Sequence, residues 1–161
     1  MGGLEPFDTW GDPSWETPEQ TGAGRLPARS PLVPFPDLAD ALGAERKDSP
    51  WFLSLDGAWR FRLVDRPAAI PDGFAIPEAD DAGWDTVEVP GNWTLQGHDR
   101  PHYTNVQMPF SERPPRVPAA NPTGLYRRRF VLPDGWDGRR VVLHFGGAES
   151  VLYAWVNGVP V

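Results

Sequence analysis

The side chains with chemistry to offer crowd into one stretch, Trp84 to Phe110, which reads WDTVEVPGNWTLQGHDRPHYTNVQMPF. Asn92, Gln96, His98, Asp99, His102, Thr104, Asn105 and Gln107 stand there among Trp93, Tyr103 and Phe110. Aromatic faces with a few placed polar groups are what a site needs to grip a hydroxyl-rich ligand. The rings cover apolar faces, while an amide both donates and accepts, as a hydroxyl does. The plainer alternative is a polar surface loop whose Asn and Asp side chains cap turns. Composition alone leaves both open.

Other groupings are poorer in chemistry. His98 and His102 are four apart, but Pro101 between them and the loop context argue against a helical metal-ligand pair. His144 alternates with apolar residues in RRVVLHF and reads as a hydrogen-bonded strand residue. Ser54, Ser111 and Ser150 have no nucleophile-elbow surroundings. Asp80 and Asp81 read as a solvated turn, and Glu149, before a strand, as a structural carboxylate. No metal ligands are expected on this chain.

The elements that must position the polar stretch follow from composition and pattern. With 161 residues, 40% hydrophobic, eight Trp and eight Phe, the chain suits one folded domain with a real core. Its 20 prolines and 17 glycines lie between aromatic-rich runs, as turns and loop stiffeners of a β protein do. A net charge of −7 offers no electrostatic footprint for nucleic acid. No cysteine is present, so there is no disulfide framework. The N-terminus MGGLEPFDTWGDP has neither a basic start nor an apolar core, and no run approaches the ~18 apolar residues of a membrane span. The expectation is a cytoplasmic protein without membrane partners.

Residues 1–35 read as an extended N-terminal arm, with proline at 6, 13, 18, 27, 31 and 34. Trp10, Trp15, Leu26 and Leu32 favour a docked arm over a frayed tail. Residues 36–161 read as the domain. PDLADALGA (36–44) predicts one short helix, opened by proline and stopped at Gly43. Asp56-Gly57 signals a turn into a strand with Trp59, Phe61 and Leu63 on a buried face and Arg60, Arg62 and Val64 on a solvated one. TVEV (86–89), LYRRRFVL (125–132), RRVVLHF (139–145) and VLYAWV (151–156) are further predicted strands. Asn157-Gly158 is the dipeptide best suited to a two-residue hairpin turn. Only Val159, Pro160 and Val161 follow it, against a usual strand of about five residues, so the sheet is expected to be incomplete at the C-terminus.

VPGNWTLQGHDRPHYTNV and MPF, then PPRVPAANPTGLYRRRF and VLHFGGAESVLYAWVNG, resemble the N-terminal region of family 2 glycoside hydrolases, specifically the long-chain β-galactosidases. WETPEQTGAGRLPARSPLVPF and SPWFLSLDGAWRFRLV fit that family too, so the likeness runs in order from about Trp15 to Val161. It implies an all-β, jelly-roll β-sandwich of the sugar-binding kind, cut before its last strands and without the catalytic barrel. None of Asp80, Asp81, Asp99, Glu112 and Glu149 sits in a motif like the family's acid or nucleophile, so no catalytic residue is expected here.

In β-galactosidases resembling this chain the asparagine of Tyr-Thr-Asn-Val reaches the galactose hydroxyls, which implies a substrate-binding role for Asn105. Trp93, His98, Asp99, Tyr103 and Thr104 would form its supporting loop. The family often has an aromatic where this chain has Met108 before Pro109. Magnesium and sodium are implied for the full-length enzyme, held by residues elsewhere and not by this chain. The implied partners are a β-galactoside of the lactose type, the remainder of the enzyme, and further copies in a full-length homo-oligomer. Two competing readings stand beside this one. One is a stand-alone carbohydrate-binding module using the Trp93/Tyr103 loop as its platform; the other is the inert remnant of an interrupted gene.

Overall fold

A computed structural model describes residues 13–103, 105 and 108–161. Trp10, Thr104, Val106 and Gln107 lie outside the described residues. What is described is an all-β domain: short strands and coil, with a six-residue helix α1 (Leu38–Gly43) and four single-turn 3-10 helices. Asp37 caps α1 by accepting from the Asp40 N–H at 2.9 Å. The helix falls within the predicted 36–44 span, but Leu38 and Leu42 are exposed.

Three strands carry the fold: β1 (Gly57–Val64), β2 (Asp85–Val89) and β3 (Thr123–Arg127), in the order β2-β1-β3 with both neighbours antiparallel to β1. The two ladders are staggered. β2 pairs with residues 57–61 of β1 and β3 with residues 60–64, so only Arg60 and Phe61 are flanked on both sides.

Side-chain alternation sorts the sheet into two faces. Trp59, Phe61, Val87, Gly124 and Tyr126 share the first; Arg60, Val64, Leu125 and Arg127 share the second. Both faces are covered in part, and this follows from connectivity. The chain leaves β1 for β2 by residues 65–84, which lie across the second face. Between β2 on one edge and β3 on the other, Trp93 and His98 lie over the first. Phe61, fully buried, and Val87, 2% exposed, form the core of the first face. Val64, Ile70, Trp84 and Leu125 form that of the second, with Trp15, Phe74, Tyr153 and Trp155 packed against them. Burying each such side chain contributes about 1.5–3 kcal/mol.

The expectation of one solvated β1 face is therefore corrected in part: Arg62 is exposed as expected, but its neighbours on that face are not. Val64 is buried, and Arg60 faces protein. Its Nε and Nη2 donate to the Asp81 carbonyl and Nη2 also to that of Ala82 at 2.8 Å. Arg127, the register partner of Arg60, donates to the carbonyls of Phe74, Ile76 and Pro77. Guanidinium forks serve here as fasteners for a loop backbone that would otherwise be left with unpaired acceptors.

Near the ends of the described chain, Ser14 Oγ and the Tyr153 hydroxyl are hydrogen-bonded, and Glu16 Oε1 accepts from the Val117 N–H at 2.9 Å. Ser49 Oγ donates to the Pro34 carbonyl at 2.5 Å. The hairpin predicted from Asn157-Gly158 forms, with β4 (Trp155–Val156) antiparallel to β5 (Val159–Pro160). Both turn residues have positive φ, 53° and 82°, as a type I′ turn requires.

The middle of the C-terminal third departs from expectation. β3 ends at Arg127, and residues 128–154 contain no strand. Phe130, Leu132, Val141, Leu143 and Phe145, all within predicted strands, are 36–46% exposed, and His144 is exposed in coil. Alternation specifies a strand only where another strand completes the ladder and covers the apolar face, and no described residue pairs with this stretch.

Candidate functional site

The crossing loop is built from two anchors and a free tip. After β2, the chain turns through Trp93–Leu95, a 3-10 helix, and the backbone N–H of His98 returns to the Trp93 carbonyl at 3.2 Å. The Trp93 ring lies over the first face of the sheet, 5.7 Å from the Phe61 ring and stacked with Tyr126 at 6.4 Å. It fits there because position 124 has no side chain. A methyl group at Gly124 would stand 2.2 Å from Trp93 Cζ3 and 2.9 Å from Phe61 Cε2. The His98 ring also packs on Phe61, centroid to centroid 4.6 Å, with its side chain 18% exposed and Nδ1 4.0 Å from Asp85 Oδ2. Burial raises the Tyr126 phenol above its ordinary 10.0, keeping it neutral beneath the loop.

The second anchor is Gln96. Its Oε1 accepts from the Glu88 N–H at 2.7 Å and its Nε2 donates to the Glu88 carbonyl at 3.0 Å. One side-chain amide thus occupies the place a neighbouring strand would take on the outer edge of β2. No feature of the sequence singled out Gln96 from the other amides of the stretch. A glutamine eight residues after a strand residue gives no signal of its own.

Beyond these anchors the loop turns outward at Gly97 (φ 91°) and Asp99 (φ 57°), the latter exposed and in the left-handed region that aspartate tolerates. Tyr103 is 73% exposed and Asn105 is exposed. His102 and Phe110, edge to face at 5.4 Å, meet across the far side of the tip. Among the residues predicted to form a site, Trp93 and His98 are therefore brought together on Phe61 as packing groups. Asp99, Tyr103 and Asn105 project instead, and Thr104 lies outside the described residues. Trp93 is half-buried, with its ring packed against Phe61 and Tyr126.

The carboxylates are placed differently from expectation as well. Asp80 does cap a turn, Oδ1 accepting from the Ala82 N–H at 2.9 Å. Asp81 is not solvated: its side chain, 13% exposed, accepts from Arg127 Nε at 3.1 Å and Arg129 Nη1 at 2.9 Å. Burial acts to raise its pKa, but the hydrogen bonds and charges of the two arginines outweigh it and hold the carboxyl below its ordinary 3.8. Glu149 is exposed in coil. Among the described residues no three His, Cys, Asp or Glu side chains converge.

The staggered ladders open two clefts at opposite corners. Where β2 ends its pairing, a space of about 380 Å³ is lined by Phe61, Arg62, Leu63, Asp80, Asp85 and His98, among others. Where β3 ends, a space of about 300 Å³ is lined by Ala58, Trp59, Arg60, Thr86, Arg127, Arg128 and Arg129. Neither includes Asn105.

Comparison with known proteins gives this geometry a context. The family described as glycosyl hydrolases family 2, sugar binding domain, matches residues 52–161. The β-galactosidase of Psychromonas ingrahamii is 41% identical over 145 residues, covering 90% of this chain and 14% of that protein. Those of Vibrio vulnificus and Priestia megaterium are 40% and 37% identical, covering 89% and 92% of this chain and 14% and 15% of their own lengths. The chain thus spans about one-seventh of the curated relatives it matches. The family match takes in β1, β2, β3 and the whole crossing loop. This chain belongs to glycosyl hydrolase family 2, through the sugar-binding domain of that family.

Proposed function

We propose that this chain is the N-terminal sugar-binding part of a β-galactosidase, and that Asn105 reaches from it to the galactose hydroxyls of a terminal β-galactoside. The alignment of β-galactosidases along 90%, 89% and 92% of this chain carries the reading. The geometry supports it: the loop base is fixed by Trp93 and Gln96 while Tyr103 and Asn105 stand free to meet a ligand or another part of the enzyme.

In the complete enzyme the three strands described here would be part of a jelly-roll sandwich, with residues 1–35 as an arm laid over it. The contacts of Ser14 and Glu16 agree with such an arm. The exposed apolar run from Phe130 to Leu152 is the face that further strands would cover. The reaction would be retaining hydrolysis, with general acid and nucleophile supplied from outside this chain. Within it, the Asn105 amide would donate to one sugar oxygen and accept from another, fixing the ring's orientation. Asp99 would hold the outward turn, and Trp93 and His98 would keep the loop base on the sheet. The magnesium and sodium of the family enzyme would be bound by its other parts, and assembly into an oligomer would belong to the full-length form. The packing of the Trp93 ring on Phe61 and Tyr126 favours this reading over a stand-alone module that would use Trp93 as its platform.

A chimera tests the proposal: residues 52–161 replace the corresponding segment of the Psychromonas ingrahamii relative, and turnover of a chromogenic β-galactoside is measured. An active chimera in which Asn105→Ala lowers kcat/KM several-fold to about tenfold, with an unchanged melting curve, is the expected result. A folded chimera without activity, or an Asn105→Ala variant equal to its parent, would refute it.

A further inference from the structure

The loop that presents Asn105 is fastened separately on each of its two limbs. The outgoing limb is held at its base, by Trp93 and His98 on Phe61 and by Gln96 on Glu88. The returning limb is held further along. There the Val117 N–H donates to Glu16 Oε1 at 2.9 Å, and the Asn121 N–H donates to the Asp65 carbonyl at 3.0 Å. Among the described residues no hydrogen bond joins one limb to the other. The rings of His102 and Phe110 do join them, with centroids 5.4 Å apart and planes at 82°.

The sequence prepares this meeting, since each ring directly follows a proline, Pro101-His102 and Pro109-Phe110. Proline fixes its own φ and biases the residue before it toward extended backbone, so both rings stand on stiffened stems. Edge to face, the positive rim of one ring meets the negative face of the other, a directional preference that two aliphatic side chains lack. His102 and Phe110 are both exposed, so the contact adds little to the core. Its effect is local. It brings together two residues eight apart in the chain, at the ends of the stretch that carries Tyr103 and Asn105. A loop whose ends are already joined has less conformational freedom to lose when a ligand binds.

We propose that His102 and Phe110 are a positioning pair, whose ring contact orders the stretch between them so that Asn105 is presented before the sugar arrives. This rests on the sugar-binding role proposed for Asn105. Neither ring needs to touch the sugar. Because a bound sugar itself holds the loop, loss of the pair should appear in KM more than in kcat.

Backbone NMR relaxation of the 161-residue chain tests the ordering directly. Phe110→Ala should increase motion at the Tyr103 and Asn105 amides while the melting curve stays unchanged. Phe110→Tyr, which keeps the ring, should match the parent. Leu95→Ala, an exposed apolar truncation on the same loop, is the control and should leave those amides as they were. In the chimera with the Psychromonas ingrahamii relative, Phe110→Ala should raise KM roughly two- to tenfold with kcat little changed. That effect should vanish once Asn105 is replaced by alanine, since there is then nothing left to position. Unchanged motion in Phe110→Ala, equal loosening by Leu95→Ala, or a KM effect that persists in full beside Asn105→Ala overturns the pair and leaves the role of Asn105 standing. An Asn105→Ala chimera equal to its parent overturns that role, and the pair with it.

Discussion

Gly124 is the socket of Trp93: the indole lies where any side chain at 124 would have to go, 2.2 Å from its first carbon. The pair ties a strand on one edge of the sheet to the loop that begins from the other edge. Gly124→Ala should therefore behave as an overpacked core substitution although it adds one methyl group. A loss of about 1–3 kcal/mol is expected, with a shift in tryptophan fluorescence as the ring is displaced. An unchanged melt and unchanged emission would show that the notch is not filled in solution.

Gln96 holds the same loop by hydrogen bonds instead of packing. Gln96→Ala removes both bonds to Glu88 and should cost about 1 kcal/mol, because the site is exposed and water replaces part of the loss. Gln96→Glu keeps the acceptor and loses the donor, so it should fall between the parent and alanine. Backbone amide shifts at Glu88 report the change directly; if they do not move in Gln96→Ala, the clamp is absent.

Asp81 makes the second face acid-sensitive. Its carboxyl is held below 3.8 by Arg127 and Arg129, so the folded state binds its proton less readily than the unfolded state does. The stabilisation is fully present above that ordinary value and is lost as pH falls through the depressed one. Asp81→Asn should lower the melting temperature at neutral pH and flatten its decline below about pH 4. Parallel melting curves for variant and parent down to pH 2 would contradict the pairing.

Asn105→Asp, in the chimeric enzyme, is a sharper probe than alanine. It preserves shape, removes the donating NH₂ and, in the proposed role, would set a negative charge near the carboxylates of the sugar site. A larger fall in kcat/KM than for Asn105→Ala is expected, again without loss of stability. A lowered melting temperature with intact kinetics would instead mark Asn105 as a turn cap.

The apolar run after β3 should be detectable from outside. Val131 is 87% exposed, so Val131→Ser should leave stability within about 0.5 kcal/mol while reducing aggregation and dye binding by the free chain. If it destabilises the fold substantially, the segment is covered in solution.

How much of this was legible in the sequence depends on what each residue's partner is. β1, β2 and the start of β3 were readable from alternation, and the hairpin from Asn157-Gly158, because these signals are local. Arg60 and Arg127 were not, since an arginine on a strand looks the same whether it meets water or a loop carbonyl. Trp93 was readable as a loop residue, but not its packing partner Gly124, which lies in another element. The signal that was available is a glycine within an alternating strand pattern, which often marks close approach of another group. In 128–145 alternation was a necessary condition without the sufficient one, a neighbouring strand. The projecting residues Asp99, Tyr103 and Asn105 could be named from sequence, but not the two anchors that make them project.

The stagger of the sheet has a kinetic consequence. Because β2 and β3 overlap along β1 only at Arg60 and Phe61, the sheet is two ribbons joined at a two-residue seam. Either ribbon can peel from its own end, Gly57 or Val64, without disturbing the other's ladder, whereas opening the seam requires both to be released together. Deuterium should therefore enter the amides of β1 from both ends inward, and those at the centre should exchange last, at a rate set by unfolding of the whole sheet.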